Sequence, residues 1–182
     1  MKHLKLYTVI GILFVIIFGT LLHFVYQWTG KNFLAGFVSP VNESVWEHMK
    51  LAFFPMLLYS FFMNQQLKGN YPCITSSLYF GIILSTLLIP VIYYAYTSIL
   101  GHHIPALDIA TFVLSILISF VTIYFLTLSC KMEPYQLPLK LIVGLLTLLF
   151  FLFTYAPPAF PLFAEPEPYC LTEALLNLPQ VC

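Results

Sequence analysis

The chain contains no arginine: all seven of its cationic side chains are lysines. Arginine is the usual bidentate clamp for phosphate and carboxylate, so an arginine-built phosphoanion site is excluded, and only lysine could serve. Charge of either sign is scarce, at 8% of residues, and the formal net charge is zero. A neutral chain with no basic stripe gives no reason to expect a nucleic-acid partner. The four cysteines fall in no CxxC pattern, which argues against a redox motif or zinc finger. There is no internal repeat, low-complexity tract or sign of a second domain. What the chain has in quantity is apolar: 60% hydrophobic residues and a mean hydropathy of +0.93. That composition belongs to integral membrane proteins.

We therefore expect an all-α membrane bundle forming a single domain over 1–182, with spans at about 6–27, 42–66, 73–98, 106–129 and 136–155. A proline-rich tail covers 156–182. The uncharged run Leu6–Tyr26 exceeds a signal-peptide core and no A-x-A-like site follows it, so it reads as a retained helix. Lys68-Gly69-Asn70-Tyr71-Pro72, Gly101-His102-His103-Ile104-Pro105 and Lys131-Met132-Glu133-Pro134 are the turns. Pro90 is expected to kink its helix. With the N-terminus inside, the inner segments hold Lys2, Lys5, Lys68, Lys131 and Lys140, against Lys31 and Lys50 outside. The positive-inside rule then gives N-in, C-out in the cell membrane. Cys170 and Cys182 would lie on the oxidising side, where they could pair, and Cys73 and Cys130 would face a reducing cytoplasm. Leu171–Leu178 reads as a short interfacial helix.

One stretch breaks the apolar pattern: Ser39-Pro40-Val41-Asn42-Glu43-Ser44-Val45-Trp46-Glu47-His48-Met49-Lys50. It runs into the uncharged segment Leu51–Met63, which reaches only ~20 Å as a helix, short of the ~30 Å hydrocarbon core. The helix must borrow turns from the charged stretch, which puts Glu47 and His48 at, or just inside, one edge of the bilayer, where ionisable groups are a functional hypothesis by default. The same edge collects His23, in line with Gly19 and Gln27 on the first helix, together with His102, His103, Asp108, Glu165 and Glu167. Imidazoles and carboxylates in that number suit a divalent metal such as zinc. On this reading His48, His23, His102, His103 and Asp108 are ligands and Glu47 or Glu43 is the base for a hydrolytic reaction. Asn42, Ser44 and Lys50 complete the polar site.

Each of these residues also has a structural reading. Ser44-Val45-Trp46-Glu47 fits a capping box, and Ser39 before Pro40 fits a second cap. Glu43, Glu47 and Lys50 share one side of a helix, and a Glu–Lys pair three apart is a routine stabiliser. Asp108 suits a helix N-terminus. The stripe Thr111, Ser115, Ser119, Thr122 and the pattern Ser77-x-x-x-Gly81-x-x-x-Ser85 read as helix packing, and Trp28 and Trp46 as interfacial anchors. The alternative function is thus a non-enzymatic membrane protein whose charged segment fixes bundle geometry or a partner surface, with the lipid bilayer, a protein partner or a second copy as its contacts.

The run Pro40–Leu51, with its Asn-Glu-Ser-x-Trp-Glu-His core, resembles the signature of a family of small multi-pass bacterial membrane proteins known only as a domain of unknown function. Leu22–Gly30 resembles the same family's first-helix end, and Thr154-Tyr155-Ala156-Pro157-Pro158 with Pro161-Leu162-Phe163 its C-terminal element. After Phe163 the tail departs from the pattern. The resemblance implies an architecture and a focal segment, not a reaction. Membrane zinc hydrolases of the ceramidase type gather similar residues at one leaflet, but they have seven helices and a histidine spacing not found here.

Overall fold

A computed structural model describes residues 2–166. Its helices are α1 (Lys2–Trp28), a single short turn α2 (Phe33–Gly36), α3 (Val45–Leu67), α4 (Ile74–Leu100), α5 (Pro105–Ser129) and α6 (Gln136–Tyr155). Short 3-10 turns lie at Glu133–Tyr135 and Pro161–Phe163. Among the described residues α1, α4, α5 and α6 are long and apolar enough to cross a membrane, consistent with a membrane protein.

The second expected span differs from the other four. It begins at Val45 rather than Asn42 and does not meet the same standard of apolarity. The reason is its place in the bundle. α3 packs against α1 and α4, α5 closes the ring between those two, and α6 lies along α4. α3 is buried on most of its surface, through Trp46, Met49, Phe53, Met56, Tyr59 and Met63. A helix shielded by protein can carry polar groups that a lipid-facing helix cannot.

Small residues set the helix spacing. Ser77, Gly81 and Ser85 of α4 are buried, as are Thr111, Ser115 and Ser119 of α5, and a Cβ on Gly81 would run into Ile123. This is the packing role expected of both patterns; Thr122 alone is not buried. On α1, a Cβ at Gly19 would meet the Leu51 carbonyl and the Phe112 ring. That glycine lets α1 approach α3 one turn below His23. α4 continues as helix through Pro90.

Two expectations are corrected at the bundle ends. Trp46 is no interfacial anchor: it is 6% exposed and sits between Phe150 and Phe163, with ring centroids 4.6 and 4.9 Å away. Trp28 is exposed. Cys73 and Cys130 are not separate thiols but a disulfide, with Cα atoms 5.3 Å apart. Cys73 caps the start of α4 and Cys130 ends α5, and antiparallel packing of these helices brings the two ends together. The expected pair Cys170 and Cys182, Glu167 and the Leu171–Leu178 segment lie outside the described residues.

Candidate functional site

At the opposite end from the disulfide, the chain between α1 and α3 folds back over the bundle. Asn32 caps α2 by accepting from Leu34 N (2.8 Å), and the Ser39 hydroxyl donates to the Ala35 carbonyl (2.6 Å). Ser39 therefore closes α2 rather than capping the next helix. The Asn42 side chain accepts from Ser44 N (3.0 Å), and Ser44 is the N-cap of α3, its hydroxyl accepting from Glu47 N at 3.4 Å. Half of the expected capping box is present. The Glu47 carboxylate does not return to Ser44 but accepts from Val41 N at 2.9 Å.

Glu47 and Lys50 form a buried ion pair of 2.7 Å, with their side chains 1% and 0% exposed. Lys50 Nζ also donates to the Gly36 carbonyl (2.9 Å) and to Thr154 Oγ1 (2.5 Å), and the Thr154 hydroxyl lies 3.3 Å from Glu47 Oε1. These contacts tie α2, the loop, α3 and α6 at one point. A Cβ on Gly36 would run into Tyr155 Oη and Val41 Cγ1, so a glycine is needed for the carbonyl to approach. Burying two charges is tolerable when they are paired and their remaining valences are filled, as both are here.

A second cluster lies on the cap segment's other side. Because Ser44 starts the helix, Glu43 stands outside it and turns toward α1, where its carboxylate reaches His23 Nε2 (3.6 Å) and His48 Nε2 (3.4 Å). The ligand atoms of all three lie within 4.8 Å of one another. The two neighbouring imidazoles, His23 first, hold the Glu43 carboxyl well below its usual range. His48 Nδ1 lies 3.0 Å from the Ser44 carbonyl. A carbonyl can only accept, so Nδ1 carries a proton, and the ring, when neutral, presents its lone pair at Nε2. That lone pair faces a carboxylate. Two acceptors at this separation require a proton or a cation between them.

Across from this cluster, Asp108 in the first turn of α5 accepts from His103 Nδ1 (3.1 Å) and from the Tyr96 hydroxyl at the end of α4. The two clusters border one cavity of about 290 Å³, walled by Glu43, His48, His103, Asp108 and Glu165 near the surface and by Leu51, Ile89 and Phe112 deeper in.

Of the site residues read from the sequence, His23, Glu43 and His48 meet directly, and His103 and Asp108 face them across the cavity. His102 is exposed and does not line it. Glu47, Ser44 and Lys50 belong to the buried network and Asn42 to the turn that precedes it. Thr154 and Tyr96 were missed: each is one of several hydroxyls on an apolar helix, and only the fold pairs it with a charge. The Thr154-Tyr155-Ala156-Pro157-Pro158 run was a faint signal for the first; nothing marked the second.

No curated protein and no solved structure matches the chain. A family match covers residues 1–167, which takes in every described helix and both clusters. The chain belongs to the DUF6512 family, a family of unknown function.

Proposed function

We propose that His23, Glu43 and His48 bind a divalent metal of the zinc type at a membrane edge, and that the cavity beside it is a hydrolytic site. The observation that carries this is that His48 Nε2 and His23 Nε2 converge on one Glu43 carboxylate oxygen, at 3.4 and 3.6 Å. A tetrahedral zinc with bonds of about 2.0–2.1 Å separates its ligands by about 3.3–3.5 Å. Two histidines and one glutamate with an open fourth position form a catalytic type of zinc set. The Ser44 carbonyl supplies the outer hydrogen bond that orients His48.

A divalent metal held by His23, Glu43 and His48 would supply a water of lowered pKa for hydrolysis of a carbonyl substrate. His103, oriented by Asp108 through Nδ1, would take the water's proton at Nε2 and return it to the leaving group as the bond to that group breaks. Glu47 and Lys50 serve the site by fixing the loop that presents Glu43, and Glu47 is not the base. α3 completes a five-span bundle, and with Lys50 buried the lysine bias toward N-in, C-out strengthens to five against Lys31 alone. The buried network favours a second reading, in which the whole segment only holds the bundle together.

Elemental analysis of detergent-purified protein exposed to zinc decides between them. About one equivalent in wild type and Asp108→Asn, lost in His23→Ala, His48→Ala and Glu43→Gln, is the expected result. No metal in any sample, with all variants folded, overturns the metal reading and leaves the structural one.

A further inference from the structure

The walls of the cavity are acidic. Three carboxylates, Glu43, Asp108 and Glu165, border it, and among the described residues no lysine does. Lys50, the nearest in sequence, is sealed at 0% exposure against Glu47. With a divalent ion on the triad and neutral imidazoles, one net negative charge remains. A phosphate or carboxylate head would meet repulsion from Asp108 and Glu165, and no arginine exists anywhere in the chain to offset it.

The cavity is also graded along the bundle axis. Glu165 apart, its carboxylates and imidazoles sit where α3 and α5 begin. Leu51 and Phe112 lie about two turns inward, and Ile89 about three turns inside the end of α4. A polar mouth over an apolar floor suits a molecule with a polar head and a hydrocarbon body. Tyr93 and Phe112 are among its lining residues, and aromatic rings attract an ammonium rather than an anion. The volume of about 290 Å³ is at the small end for ligand sites, enough for a head and the first carbons of one chain.

We propose that this cavity receives the cationic, amine-bearing head of a single-chain amphiphile. The inference names the substrate class of the site above and rests on reading this cavity as that site, but the ammonium contacts Asp108 and Glu165 rather than the metal ligands. Selection therefore survives in metal-free protein.

The test uses the full chain in nanodiscs of zwitterionic lipid, titrated calorimetrically with octyltrimethylammonium, octanoate and octyl glucoside, with empty nanodiscs as background. Metal content is measured on the same samples, before and after chelation, so the triad is scored separately from ligand choice. The ammonium probe is expected to bind at least about tenfold tighter than octanoate, equivalent to ~1.4 kcal/mol, with octyl glucoside between them. The preference should shrink several-fold in Asp108→Asn and in Glu165→Gln; the latter lies outside the helices and tests the idea if the former fails to fold. Equal binding of all three probes, tighter binding of octanoate, or a preference unchanged in both variants would overturn the proposal. A preference that persists in metal-free protein supports it even if the triad holds no metal.

Discussion

Replacing Lys50 with methionine probes how the focal segment is held. The change keeps the side chain's length and removes its charge, leaving Glu47 at 1% exposure beside an apolar group. At 2.7 Å the pair's attraction is roughly 6 kcal/mol with an effective dielectric constant near 20, and desolvation of the two ions offsets several kcal/mol of this per ion. The net worth of the intact pair is thus small. Breaking it is a different matter, because one charge stays buried without a partner, at a cost of about 3–5 kcal/mol. The Gly36 carbonyl loses its donor as well. Glu47→Gln with Lys50→Met removes both charges and keeps an acceptor for Val41 N, so the double variant should lose only about 1–2 kcal/mol. Unfolding in detergent, followed by circular dichroism across denaturant, measures all of these. A Lys50→Met cost under about 1 kcal/mol, or single-variant costs that add within ~0.5 kcal/mol, would refute the view that this pair holds the loop.

Gly19→Val should force α1 away from α3, costing about 1–3 kcal/mol as overpacking does. It should also weaken zinc binding by withdrawing His23 from Glu43; stability lost with metal affinity unchanged would count against the triad. Gly36→Ala is expected to displace the carbonyl that accepts from Lys50 and to lower the unfolding midpoint in the same direction as Lys50→Met. The Cys73–Cys130 bond closes a separation of 57 residues, and cross-linking a loop of that size stabilises a chain by roughly 4 kcal/mol where the unfolded chain is unrestrained. With an N-in orientation this bond would face the reducing cytoplasm, so free thiols on alkylation before lysis, with the bond forming only in purified, air-exposed protein, are the outcome that orientation requires. A bond already present in alkylated cells would instead place that end on the oxidising side, reversing the orientation and turning the cavity toward the cytoplasm.

The apolar runs, the turns between them and the focal segment at residues 39–50 were legible because each follows from local chemistry. Uninterrupted hydrophobic stretches must leave water, glycine and proline clusters interrupt helices, and a Ser-x-x-Glu spacing starts one. Ser44 does cap α3, and Glu47 does pair with Lys50 three residues on. The small-residue stripes on α4 and α5 were also read as packing, and their buried members pack.

The tertiary structure decided which partners each charge took. Glu43 and Glu47 are four apart, and the sequence offers either as the base. The Ser44 cap leaves the first outside the helix, facing His23 and His48, and turns the second inward to Lys50 and Thr154. The Cys73–Cys130 bond, the burial of Trp46 under Phe163 and the meeting of Asp108 with Tyr96 likewise depend on helices packed antiparallel, bringing together residues far apart in the chain. Hydrophobicity and helix signals act over a few residues, so sequence determined where the helices and the polar segment lie. Which carboxylate faces an imidazole and which a lysine depends on interhelical distances, and only the folded bundle sets those.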